Sequence, residues 1–178
     1  MSIYYTGCAT AIIPPDCTDC PTKELAGIRS VWLQKSTYTF TDIADPTEWA
    51  TAIQNGDVFI YPFTRGSLEV AETESPGFGD NSTTVDGYEF TLNAVDPNYT
   101  GNCASWKSLR KNKSLLVGYR TETQIHLSEK TVSISPMAPI AEDVKAGVYW
   151  NVKIKWSQDD PSCPVDMPTG VFEACIGY

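Results

Sequence analysis

Val148-Tyr149-Trp150-Asn151-Val152-Lys153-Ile154-Lys155-Trp156 is the stretch on which the fold turns. Its side chains alternate without a break. Val148, Trp150, Val152, Ile154 and Trp156 fall on one face, and Tyr149, Asn151, Lys153 and Lys155 on the other. Successive side chains of an extended chain point to opposite faces, so this period of two marks a strand with one apolar and one polar side. The unbroken alternation makes it a central core strand.

Asp86-Gly87 introduces a second such stretch, with Tyr88, Phe90, Leu92 and Ala94 inward. Before it, Ser67 to Glu74 places Leu68 and Val70 on one side and Glu69 on the other. Between the two lies Ser75-Pro76-Gly77-Phe78-Gly79-Asp80-Asn81-Ser82, whose turn residues predict a long loop over 75–86. Ile28 to Thr41, Val58 to Phe63, Leu115 to Arg120, Thr123 to Ser135 and Gly170 to Tyr178 complete the set of expected strands, rich in β-branched and aromatic residues. Two short helices interrupt them. Asp45 caps the first, Pro46 suits its first position, Gly56 ends it, and Trp49, Ala52 and Ile53 share a face. The second, within Asn102 to Lys113, turns Trp106 and Leu109 to the core and Lys107, Arg110 and Lys111 to water. Short strands at frequent intervals predict a mainly β fold, an antiparallel β-sandwich or partly closed barrel with one or two short helices.

Residues 1–25 differ from the rest. They hold Cys8, Cys17 and Cys20, a Pro14-Pro15 pair and Pro21, and predict an irregular arm ahead of a β domain over 26–178. The 178 residues suffice for a core without disulfides. The N-terminus lacks the basic and apolar regions of a secretory signal, and no apolar run approaches the ~20 residues of a membrane span. The six cysteines, including Cys103, Cys163 and Cys175, are therefore expected as reduced thiols in a cytoplasm. The formal net charge of −9 disfavours stable wrapping of nucleic acid, while transient passage of DNA along an acidic wall is compatible with it.

Motifs that carry chemistry are scarce. Cys17-x-x-Cys20 has metal-ligand spacing but lacks a second pair, so no metal site is assigned. His126, the one histidine, alternates with Ile125 and Leu127 and reads as a strand residue rather than a general base. Glu72 with Glu74, and Asp159 with Asp160, read as solvated charge rather than as acid/base pairs. Gly77-Phe78-Gly79 lacks the helix and Lys of a phosphate loop. Lys107, Arg110, Lys111 and Lys113 form the one basic cluster, either a solvated helix face or a contact for an acidic neighbouring subunit. No catalytic residue and no cofactor is assigned, and the chain reads as a structural protein rather than an enzyme.

Three segments carry a resemblance: Asp45-Pro46-Thr47-Glu48-Trp49 leading to Ile53-Gln54-Asn55-Gly56-Asp57, Thr64 through Gly79, and Asp86-Gly87-Tyr88-Glu89-Phe90-Thr91-Leu92. In style and order over roughly 28–156 the chain resembles virion proteins of tailed bacteriophages of Bacteroidetes, including the crAss-like group. Its acidic strand, long loop and returning strand at 67–95 resemble the stacking hairpin of phage tail-tube proteins. The resemblance implies a virion protein, made in the bacterial host cytoplasm, that forms homo-oligomeric rings of the tail tube or head–tail connector around a DNA channel, without a membrane partner. The inter-subunit residues it implies are Leu68, Val70, Glu72, Glu74, Pro76, Gly77, Phe78, Gly79 and Tyr88. Alternatives are a head decoration protein and a small hydrolase or carbohydrate-binding module, in which an exposed Tyr149 stacks on sugar rings.

The alternation at 148–156 generates the first test. Trp150→Ala should cost roughly 3–5 kcal/mol, as truncation of a buried aromatic does, and urea unfolding that matches the wild type would remove Trp150 from the core.

Overall fold

A computed structural model describes residues 27–61, 64–76, 83–140, 142 and 147–172. Among these residues nine strands form two antiparallel sheets, and the sheets stay open, as in a sandwich. In chain order the elements are β1 (Ser30–Lys35), α1 (Pro46–Gln54), β2 (Val58–Tyr61), β3 (Arg65–Pro76), β4 (Thr83–Asp96), α2 (Cys103–Leu109), β5 (Leu115–Arg120), β6 (Gln124–Leu127), β7 (Ser133–Met137), β8 (Trp150–Gln158) and β9 (Val165–Asp166). One sheet runs β2-β1-β5-β6-β9 and the other β3-β4-β8-β7. The chain therefore lays down strands in pairs and changes sheet after each pair.

Those changes are made at corners. After Tyr61, the last residue of β2, the chain joins the second sheet at Arg65, and Gly66 exchanges two backbone hydrogen bonds with Ile28 just before β1, at 3.1 and 3.2 Å. The stretch 123–135, expected as strand, is two strands in different sheets. Its polar middle, Ser128 to Thr131, turns the corner: Ser128 still donates to Val117 and Val132 to Leu115, after which β7 pairs with β8. Corners of this kind are how a sandwich passes a strand from one layer to the other.

The main core lies between the layers. Val31, Leu33, Leu115, Val117 and Tyr119 from one sheet meet Phe90, Leu92, Ala94, Ile134, Trp150, Val152, Ile154 and Trp156 from the other. The β8 alternation is thus realised from Trp150 onward, and Phe90 stacks on Trp156 at 5.1 Å. Val148 lies ahead of the strand and is exposed, as is Tyr149. Nothing pairs with them there, because β4 reaches its last partner, Asp96, at Trp150.

The five-stranded sheet also buries its outer face. Trp32, Val58 and Ile125 pack there against Trp49 and Ala52 of α1, Phe172, and the partly buried Tyr38, Phe40 and Ile43. Trp32 and Trp49 meet edge to face at 5.1 Å, and Phe40 lies 4.6 Å from Trp49. The strand expected over 28–41 therefore ends at Lys35, and Tyr38 and Phe40 belong to a loop that covers the sheet. Glu48 holds that loop: its carboxylate accepts from the Thr41 and Asp42 backbone N–H groups at 2.7 and 2.9 Å, which lowers its pKa. Asp45 caps α1 through the Thr47 N–H at 2.9 Å, with Pro46 at the first position as expected. Ile53, expected on the buried face with Trp49 and Ala52, is exposed.

Two further expectations change, and a third falls outside the described residues. Strands take in Ser75, Pro76 and Thr83 to Asp86, six of the twelve residues of the expected 75–86 loop, and 77–82 lie outside the described residues. Of the expected strand 170–178, Gly170 and Val171 form a turn, Phe172 enters the outer core, and the remainder lies outside the described residues. The cysteine and proline arm at 1–25 also lies outside them.

One close approach sets the outer core. Gly118 of β5 pairs with Trp32 of β1, and the indole of Trp32 lies directly over the glycine, where a Cβ would collide with the ring. Trp32 is fully buried and its layer has no room to yield. Gly118→Ala should therefore destabilise the protein by about 1–3 kcal/mol or more through overpacking. Thermal unfolding at an unchanged midpoint would show that Trp32 moves aside freely.

Candidate functional site

The feature that sets this sandwich apart is a mismatch of strand length. β3 and β4 pair along their whole described lengths, from Arg65 opposite Val95 to Pro76 opposite Thr83. β8 pairs with β4 only from Asp96 to Tyr88. Beyond Tyr88 the hairpin continues as a two-stranded ribbon, past the point where β8 ends. Five residues of β4, Thr83 to Gly87, lie in that extension, about 16 Å at a strand's rise. A register shift between Thr73 and Glu74 lies within it, leaving Asp86 without a partner residue. Bulges of this kind increase twist and blunt an edge.

The ribbon is exposed and acidic. Glu69, Val70, Ala71, Glu72, Thr73, Glu74, Val85, Asp86 and Glu89 are all exposed. Val70 and Val85 remain 51% and 46% exposed, unusual for β-branched apolar residues in a ladder. From Gly66 to Trp106 the sequence contains seven acidic residues and neither Lys nor Arg. Leu68 and Tyr88 are half-buried and pack against the chain's own core. Of the candidate inter-subunit residues, Glu74 lies on the ribbon, and Val70 and Glu72 lie on the exposed edge strand that leads into it. Leu68 and Tyr88 turn inward. The Pro76 backbone closes the described part of β3, while Gly77, Phe78 and Gly79 lie outside the described residues. The extra residue of the register shift, Asp86, lies on β4, so the alternation is interrupted there, while β3 passes from Glu72 to Glu74 without an inserted residue.

The other end of β4 is rigid. Asp96 is buried, and its carboxylate accepts three N–H groups: the Asn98 backbone at 2.9 Å, the Asn102 amide at 2.7 Å and the Trp106 indole at 2.7 Å. Three donors satisfy a carboxylate that burial would otherwise penalise heavily. Trp106 stacks on Tyr61 at 4.1 Å, and the Tyr61 hydroxyl meets the Ser105 hydroxyl at 2.5 Å. Trp150 donates its indole N–H to the Tyr99 carbonyl at 2.8 Å. These contacts fix α2 on the end of the sandwich. Trp106 and Leu109 are buried as expected, and Lys107, Arg110, Lys111 and Lys113 are exposed.

Two shallow clefts flank these elements. One, of about 550 Å³, lies between the 36–43 loop and the 127–131 corner and includes Gln34, Tyr38, Phe40 and Ser128. The other, of about 410 Å³, lies beside Asp96 against Phe59 and Ile60. Neither lining includes a histidine, lysine or cysteine among the described residues. His126 stacks on Tyr119 at 4.8 Å, on the face opposite Ile125. Cys103 and Cys163 are free thiols, the first half-buried and the second exposed, and Cys17 and Cys20 lie outside the described residues. No cluster of potential metal ligands occurs among the described residues, and no described helix is long and apolar enough to cross a membrane.

Sequence reasoning missed Asp96 and the extent of the ribbon. Asp96 lies just past the alternation of Tyr88 to Ala94, and its partners Asn102 and Trp106 come near it only when α2 folds back. No family model matches the chain, and neither a curated protein nor a solved structure matches it.

The buried tyrosines give the site's base a pH limit. Burial pushes both Tyr61 and Tyr119 up to about 12, against an ordinary value near 10. A raised folded-state pKa means that the neutral phenol stabilises the fold. That contribution is complete below about pH 10, where the unfolded tyrosine is also neutral, and is lost as pH rises towards about 12. Stability should fall across this window, and Tyr61→Phe should flatten part of the fall. Stability independent of pH between those limits would place both phenols in water.

Proposed function

We propose that the chain is a virion structural protein of a tailed bacteriophage, of the type that assembles into rings of the tail tube or head–tail connector around a DNA channel. The observation that carries this reading is the β3–β4 ribbon, which runs past the end of β8 with Glu74, Val85 and Asp86 exposed and continues the exposed edge strand that carries Glu69, Val70 and Glu72. A ladder of this length has little to pack against within its own chain. An exposed two-stranded ribbon invites a partner and normally carries devices against the wrong one. Here the acidic side chains and the register shift serve as those devices. The rest of the molecule suits a repeated subunit: a doubly covered sheet on one side, a core between layers, and an end fixed by the Asp96 network. The net charge of −9 suits a wall past which DNA slides without adhering, because phosphate-binding cations on it would add affinity and slow transit.

Concentrated purified protein should form rings or short tubes in negative-stain images. Excision of residues 75–84, with Glu74 and Val85 joined through an Asn-Gly turn, should preserve the circular dichroism of the fold and abolish those assemblies. Persistent monomers of the wild type at every concentration, or rings unaffected by the excision, would count against the reading.

A further inference from the structure

The charge is not only negative; its acidic and basic residues are grouped apart. At the ribbon end of β4 stand Glu72, Glu74, Asp86 and Glu89, all exposed. Past Asp96, α2 presents Lys107, and the turn after it, which leads back into β5, presents Arg110, Lys111 and Lys113, also exposed. Asp86 and Asp96 are ten residues apart on β4, about 33 Å in a strand. The screening length at physiological salt is about 8 Å, shorter than the span of β4 from Asp86 or Glu89 to Asp96. Among the described residues the ion pairs are Arg29 with Glu122 and Lys35 with Asp57, and neither involves these clusters.

We infer that the acidic ribbon of one copy docks on the basic α2 segment of the next. The partner is a second copy of this chain, and the contact is head-to-tail. The argument is complementarity: an exposed ladder with two apolar valines and several carboxylates, and a helix end and turn whose four cations lack an acidic neighbour from Lys107 to Thr121. Patches of opposite charge steer copies into the same orientation and penalise the reverse one, in which ribbon meets ribbon. A contact between two different surfaces is heterologous and propagates, closing into a ring or extending into a stack as its rotation dictates. The Asp96–Trp106 hydrogen bond fixes the α2 backbone from which Lys107 projects. This inference rests on the assembly reading above and names the surface that receives the ribbon.

Sedimentation of the full chain over a range of salt tests it. Wild-type association should weaken as salt rises. Reversal of the platform (Lys107→Glu with Lys111→Glu and Lys113→Glu) should weaken association at least about tenfold, as like-charge juxtaposition does. Reversal of the ribbon (Glu72→Lys with Glu74→Lys and Asp86→Lys) should do the same. An equal mixture of the two reversed proteins should recover association, because each ribbon then finds an opposite platform. If reversal impairs folding, Lys107→Gln with Lys111→Gln and Lys113→Gln should still weaken association. Wild-type-like association of the platform variants, or a mixture that stays dissociated, overturns the inference. Loss of assembly on ribbon excision together with indifference to platform reversal would defeat this pairing and leave the ring reading standing. A wild type that never associates defeats both.

Discussion

The pairing of β4 with β8 is the constraint on which the rest of the structure depends. It brings Phe90, Leu92 and Ala94 into register with Trp156, Ile154 and Val152, and so aligns the apolar faces that close the core. It also fixes where the sheet stops. Gln158 ends β8 with its side chain committed on three sides: it accepts from the Trp156 indole at 2.9 Å and the Glu129 N–H at 3.3 Å, and donates to the Asp160 carbonyl at 2.6 Å. β4 has no such stop and continues with β3. The exposed ribbon is therefore a product of one strand ending before its neighbour, and the end of β8 is set by a buried amide rather than by a turn.

The two layers face different surroundings, and their composition follows. The five-stranded sheet is covered twice, so β1 is buried at nearly every position and β5 tolerates a glycine only because Trp32 fills its space. The four-stranded sheet is covered once. Its outer rows read Ser67, Asn93, Lys153, Ser135 and Glu69, Thr91, Lys155, Ser133 across the four strands. Asn93 donates to Glu69 at 3.1 Å within that surface. Such rows keep an open sheet face wet, and Pro136 removes a donor from the β7 edge. The opposite edge, β3, is long and relies on carboxylates instead.

Strands with one wet face were legible in the sequence because burial and period coincide there: β8 and the inner half of β4 follow their alternation residue by residue. The same rule misled at Tyr38 and Phe40, which alternate like a strand but are partly buried in a loop packed against the outer core, held by Glu48 rather than by a ladder. It also missed the corner at Ser128 to Thr131, which contains neither glycine nor proline to mark a change of layer. The exposed part of the candidate site was partly legible, since the acids around 69–89 and the cations around 107–113 stand apart in the chain. Their placement in the fold was not, because it depends on the lengths of β3 and β4 and on Asp96 folding α2 back onto the sandwich.

That placement also changes the meaning of the net charge. A uniform charge of −9 would oppose self-association at every approach. A separated distribution opposes most approaches and favours one. Ribbon against ribbon brings carboxylates together, and platform against platform brings cations together. In the proposed contact, ribbon against platform relieves both, and the exposed Val70 and Val85 are the apolar area that the acidic side brings to it. The valines supply non-directional attraction and the charges supply orientation. Each is weak in isolation. An exposed valine on a lone ribbon has little to hold it in place, and exposed ion pairs contribute only about 0–1 kcal/mol each. Repeated around a ring, such contacts add, so that modest pairwise affinity is compatible with a stable assembly while single copies remain free to orient before they join.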